Sequence, residues 1–168
     1  MPSIEAAARD LQDVAALWSA GETRAHAVVR AACEALVAGL DSPALRFLAA
    51  CTRGEAEYDV PGLLPAALDE LGLTFHPRGS KAGQEAAVRS LAHQTLAGSL
   101  PPRELTLRAH QRFGHDLPLA ERLAELDDEY AILEHGDRAA AQIDAEVMAE
   151  ARRLARETAV PGTSPQEH

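Results

Sequence analysis

Apolar side chains recur along most of this chain at steps of three and four, the period of a helix with one buried face. Ile4, Ala7, Leu11, Val14 and Trp18 follow one another in this way and predict a first helix opened by Ser3 and closed by Gly21. A second helix is expected from Thr23 to Leu40, with Val29, Ala32, Cys33, Leu36 and Leu40 on its inner side and Gly39 as its stop. Asp41-Ser42-Pro43 reads as a cap with proline at the first helical position. It opens a short third helix, Ala44 to Cys51, that offers Leu45, Phe47 and Leu48 to the core. Thr52 to Asp59 carries Glu55, Glu57 and Asp59 around Tyr58 and reads as an acidic loop, after which Pro61 begins a fourth helix through Leu64, Leu68 and Leu71 to Gly72.

Thr74 to Gly79 contains Pro77, which removes a donor and restricts the residue before it, so this stretch is expected as a loop. Ser80 then caps a fifth helix carrying Val88, Leu91, Ala92 and Leu96 as far as Gly98. Pro101 and Pro102 start a sixth, with Leu105, Ala109 and Phe113 at spacing four and Gly114 at its end. The connector Gly114-His115-Asp116-Leu117 leads through Pro118 to a seventh helix, with Asp116 as its cap and an apolar seam of Leu119, Leu123, Leu126, Tyr130 and Leu133. Gly136-Asp137 breaks the chain again, and an eighth helix runs to about Thr158 with Ile143, Val147, Ala151 and Leu154 in line. Residues 159–168 hold two prolines, a glycine and no periodicity, which predicts a disordered tail.

The pattern predicts an all-α fold, a single-domain bundle of about eight short to medium helices over residues 1–158. An internal similarity accompanies it: Ala38-Gly39, Pro43 and Leu48 reappear 59 positions later as Ala97-Gly98, Pro102 and Leu107. Helices two to four would then be a three-helix unit duplicated in helices five to seven.

Composition supports the helical reading, because Ala, Leu, Arg and Glu are abundant while β-branched and aromatic residues are sparse. Fifteen of the 16 basic residues are arginine, Lys81 being the exception, a bias that resembles a GC-rich bacterial coding sequence. The 26 acidic residues outweigh them to a net charge of −10, a field that disfavours nucleic acid and anionic membranes and favours a basic or neutral partner. No window approaches the eighteen or so apolar residues of a membrane span. With only Cys33 and Cys51 and no apolar leader, a reducing cytoplasm is expected, with both cysteines as small buried hydrophobes.

Two stretches carry residues with chemistry. His115-Asp116 resembles the metal-sharing dyad of HD-type phosphohydrolases, with His93 or His110 upstream and Asp127 or Asp128 downstream as the further ligands that such a resemblance implies. Arg108 and His115 are spaced like the Arg-x4–6-His pair of HEPN-type ribonucleases, which are also all-helical, and Arg103 and His110 match equally well. An enzyme built on His110, His115 and Asp116 is therefore one expectation. Against it, the HD-type dyad sits on a helix while Gly114 and Pro118 bracket this one in a turn, and His110 reads as a hydrogen-bonded packing residue beside the apolar face of helix six. Glycine-rich phosphate loops, nucleophile elbows and Cys-x2-Cys pairs are absent from the sequence, so no cofactor and no metal are expected.

The acids agree with the global charge. Glu121, Glu125, Asp128 and Glu129 recur at steps of three and four on one side of helix seven, where like charges destabilise an isolated helix unless something opposes them. A basic protein partner would do so. The expected function is therefore a protein-binding module, most concretely an immunity or antitoxin-like inhibitor of a basic toxin, with Glu121, Glu125, Asp128 and Glu129, together with Glu55, Glu57, Tyr58 and Asp59, as the binding residues. A third expectation is a regulatory or assembly factor that dimerises through helix one or helix eight.

Overall fold

The computed structural model describes residues 2–133 and 139–157. The predicted tail and the Gly136-Asp137 break lie outside them. Among the described residues there are eight α-helices, one short 3-10 turn and no strand, so the protein is all-α as its periodicity predicts. The chain divides into two compact units, residues 1–90 and 91–168. No helix among the described residues is long and apolar enough to cross a membrane.

In the first unit, α1 (Ile4–Ser19) packs on α2 (Ala25–Ala38), and α2 packs on α3 (Pro43–Ala49) and α4 (Ala56–Glu70). Ser3 caps α1 by accepting the Ala6 N–H at 3.1 Å, and Ser42 caps α3 by accepting the Leu45 N–H at 3.2 Å. Leu11, Trp18, Val28, Leu45, Leu48, Val60, Leu64 and Leu68 form the core of this unit. The buried face of α2 is Ala25, Val28, Ala32 and Ala35, rotated by one position from the expected one, so Cys33 is exposed rather than buried. Cys33 and Cys51 are free thiols, their S–H groups directed at the carbonyls of Ala49 (3.3 Å) and Phe47 (3.5 Å). Phe47, expected in the core, is 67% exposed. Leu45 and Leu48 stand three apart and share the inner face of the seven-residue α3, and a residue two positions from Leu45 necessarily points away.

The second half of the predicted acidic loop is instead helical, while residues 52–55 are non-helical. Helix α4 begins at Ala56, so Glu57, Tyr58 and Asp59 form its first turn, with Pro61 and Pro65 inside it. The Thr52 N–H donates to the Glu55 carboxylate at 3.1 Å, and the Thr52 carbonyl accepts from Glu55 and Ala56. This Thr-x-x-Glu arrangement starts the helix five residues earlier than Pro61, and Ala56 and Val60, both fully buried, anchor it. Negative side chains in the first turn also suit the positive end of the helix dipole.

Residues 72–80 run alongside α1 and are tied to it at three points. The Gln12 carboxamide accepts the Thr74 N–H at 2.7 Å and donates to the Thr74 carbonyl. The Ser19 hydroxyl donates to the His76 carbonyl at 2.9 Å, and the Arg78 guanidinium lies 4.4 Å above the Trp18 ring. Ser80 then opens α5 (Lys81–Leu96), accepting the Gly83 N–H at 3.2 Å.

In the second unit, α6 (Pro102–Phe113), α7 (Glu121–Ala131) and α8 (Ala140–Arg156) pack on one another, with the 3-10 turn Pro118–Ala120 leading into α7. Leu105, Leu123, Leu126, Ile143, Val147, Ala151 and Leu154 are fully buried. Tyr130 joins all three helices: Arg103 of α6 lies 5.5 Å from its ring, and its hydroxyl donates to Asp144 of α8. On α8 the nearly buried Glu150 is held by Arg153, whose Nε and Nη2 lie 3.0 and 2.5 Å from its carboxylate oxygens. The suggested duplication pairs α3 with α6, which differ in length, seven residues against twelve.

Candidate functional site

The chemistry-bearing side chains gather where α6 ends and α7 begins. Helix α6 stops at Gly114, whose backbone (φ 57°, ψ −139°) is one that residues with a side chain rarely adopt. This turn follows the α6 residue His110, and His115 stands just beyond it. The imidazoles of His110 and His115 meet edge to face with centroids 5.0 Å apart.

Carboxylates of α7 receive both rings. His110 Nδ1 lies 2.8 Å from Asp127 Oδ2 and 3.8 Å from Asp128 Oδ1. His115 Nδ1 lies 2.9 Å from Glu121 Oε1, while its Nε2 lies 3.5 Å from Asp128 Oδ2. The hydrogen bond to Glu121, reinforced by the negative charge of Asp128 and Glu125, holds the proton affinity of His115 above the ordinary histidine range. His110 is therefore the hydrogen-bonded residue expected from its position, and its partner is Asp127.

Asp116 does not cap α7. The residue preceding the 3-10 turn is Leu117, no side chain caps that turn, and Asp116 instead donates its own N–H to the Phe113 carbonyl at 3.3 Å. Pro118 opens the 3-10 turn, and α7 starts three residues after it. Among the described residues, His110, His115 and Asp128 form a set of three whose ligand atoms all lie within 4.8 Å of one another, and Asp116 is not in it.

A second group surrounds Arg122. Its guanidinium lies 3.0 Å from Glu125, 3.4 Å from Glu129 and 2.7 Å from Glu146 of α8. Of the acids expected on the α7 face, the structure thus brings Glu121 and Asp128 to the histidines, and Glu125 and Glu129 to Arg122. Glu125 and Asp128 keep much of their surface open, with side chains 49% and 60% exposed. Glu146 was not legible as a member, because it is 24 residues from Arg122 and only the packing of α8 on α7 places it there.

The other four expected binding residues, Glu55, Glu57, Tyr58 and Asp59, lie in the first unit. Glu55 is committed to the Thr52 N–H, and Glu57 Oε1 accepts the Ala25 N–H at 3.2 Å. Asp59 is half-buried, and Tyr58 is 89% exposed. Two of the four are therefore occupied at helix N-termini.

Comparison with protein-family models, with curated proteins and with solved structures finds no match for the chain.

Proposed function

We propose that the protein is a protein-binding module that presents the acidic face of α7 to a basic partner, in the manner of an immunity or antitoxin-like inhibitor working in a reducing bacterial cytoplasm. The observation that carries this reading is the charge imbalance of α7. Its sequence ERLAELDDEYA sets five carboxylates against one arginine, and Arg122 is already shared among Glu125, Glu129 and Glu146. Like charges so placed oppose helix formation, and a cationic partner would relieve that repulsion while steering its own approach. The reading narrows the binding set to the α7 residues Glu121, Glu125, Asp128 and Glu129. Glu55, Glu57, Tyr58 and Asp59 fall outside it because they are not on α7, and the Glu55 and Glu57 carboxylates already accept backbone N–H groups.

The test is capture of partners from the native lysate by the wild-type chain and by Glu125→Lys/Glu129→Lys, each across a salt series. Expected is a cationic protein whose retention falls steeply with salt and is lost in the double variant. Retention by the variant with the same salt dependence would sink the acidic-face reading.

A further inference from the structure

The cluster at the α6–α7 turn has a chemistry of its own. One ring nitrogen of His110, one of His115 and one carboxylate oxygen of Asp128 lie within 4.8 Å of one another. Each imidazole is also held from the side by a different carboxylate, His110 Nδ1 by Asp127 at 2.8 Å and His115 Nδ1 by Glu121 at 2.9 Å. A neutral imidazole that donates Nδ1–H to a carboxylate keeps its lone pair on Nε2 and is made more basic there, which is the usual arrangement of a metal-binding histidine. On His115 that Nε2 lies 3.5 Å from Asp128 Oδ2, whereas His110 approaches Asp128 Oδ1 with Nδ1 at 3.8 Å, so its ring would turn to offer a nitrogen to an ion.

We propose that His110, His115 and Asp128 bind a divalent transition metal ion of the zinc class, with Asp127 and Glu121 orienting the two imidazoles. Two imidazoles and one carboxylate suit zinc and its neighbours in the first transition row, whereas magnesium and calcium favour oxygen alone. Tetrahedral zinc, with bonds of about 2.0–2.1 Å, places its ligand atoms roughly 3.3 Å apart. The cluster must therefore close somewhat, and the exposure of His115 (47%) and Asp128 (60%) leaves room for both side chains to shift towards an ion. Three protein ligands leave a fourth position for water or for an atom of another molecule. The charge also fits: Glu121, Asp127 and Asp128 surround the histidines, so a dication would be held among three carboxylates. This site goes beyond the partner-binding reading and does not depend on it.

The test is isothermal titration of zinc chloride into the full chain after chelator treatment, with cobalt(II) absorption as a second readout and circular dichroism to verify folding of each variant. One ion per chain is expected. His115→Ala and Asp128→Asn should each weaken zinc by more than about tenfold, and Asp127→Asn by about tenfold, through loss of the orienting charge. Cys33→Ser and His26→Ala should leave the affinity unchanged. Glu125→Lys/Glu129→Lys lies outside the ligand set and should retain one zinc per chain, so failure of the metal site and failure of the acidic-face reading are separable. The proposal is overturned if zinc binds no tighter than millimolar, in which case the cluster is a set of ion pairs only. It is equally overturned if affinity survives both His115→Ala and Asp128→Asn, or falls with Cys33→Ser.

Discussion

Glu57 Oε1 accepts the backbone N–H of Ala25, 32 residues earlier in the chain. Ala25 is the first residue of α2, and Arg24 before it provides no side-chain cap. A carboxylate from the first turn of α4 thus completes the N-terminus of another helix, where it also meets the favourable end of the dipole. Glu57→Ala should lower the unfolding free energy by about 1 kcal/mol, while Glu57→Gln, which keeps an acceptor, should lose less than half of that. Urea unfolding of the two variants checks the ordering, and equal losses would show that the hydrogen bond contributes nothing.

Gly62 lies inside α4 with open space around the position a Cβ would occupy. Glycine there leaves the unfolded chain more conformational freedom without serving any close approach. Gly62→Ala should therefore stabilise the protein by about 0.5–1 kcal/mol, measured as a raised thermal midpoint. The contrasting substitution is Gly83→Ala, whose Cβ would stand 2.9 Å from Ser80 Oγ and 3.0 Å from His76 Cβ, and which should destabilise.

Burial holds the pKa of His76 below the ordinary histidine value. As pH falls through about 6.5, the unfolded chain takes up this proton before the folded one does, so His76 makes stability decline towards acid. The decline stops only below the folded pKa. In nitrogen-15 spectra the His76 imidazole, assigned by the loss of its signals in His76→Gln, should titrate with a midpoint below 6.5. The same variant should show a shallower fall of stability between roughly pH 7 and pH 5. An identical fall would remove His76 as a contributor.

Tyr130 ionises well above the ordinary tyrosine range, first because it is buried and second because its hydroxyl donates to Asp144, which a phenolate would repel. In Tyr58→Phe the chain has Tyr130 as its single tyrosine. Its tyrosinate absorption should then rise with a midpoint above about 10, and Asp144→Ala should bring that midpoint down. A midpoint unaffected by Asp144→Ala would contradict the hydrogen bond.

Helix existence was readable from periodicity because each helix buries one face, and the seam of α8, Ile143, Val147, Ala151 and Leu154, is fully buried as spaced. Helix phase was less readable. On α2, Ala25, Val28 and Ala35 form the buried face while Val29 and Cys33 border it, and alanines on both sides leave hydrophobicity with little preference between neighbouring registers. The start of α4 was missed for a different reason. Pro61 and the acids around Tyr58 suggest a break, but the Glu55 carboxylate already accepts the Thr52 N–H, half of a capping box, and that turn leads into the helix ahead of them. At the candidate site, His110, His115, Asp127 and Asp128 were visible as residue types. Their union was not, because the turn at Gly114 and the packing of α7 on α6 set which carboxylate meets which ring. Asp116, adjacent to His115 in sequence, is outside the cluster that Asp128 joins from thirteen residues away.

The three ties between α1 and the segment after α4 have a shared geometric demand. Gln12 grips both main-chain polar groups of Thr74, while Trp18 and Ser19, one to two turns further on, engage Arg78 and His76. Helix α1 therefore acts as a ruler, with marks at fixed rise along its axis, against which an extended strip of chain is read off. A strip one residue longer or shorter between Thr74 and Arg78 could satisfy the mark at Gln12 or the marks at Trp18 and Ser19, but not all three. Length in this segment is thus constrained more tightly than side-chain identity, the reverse of what an ordinary surface loop permits.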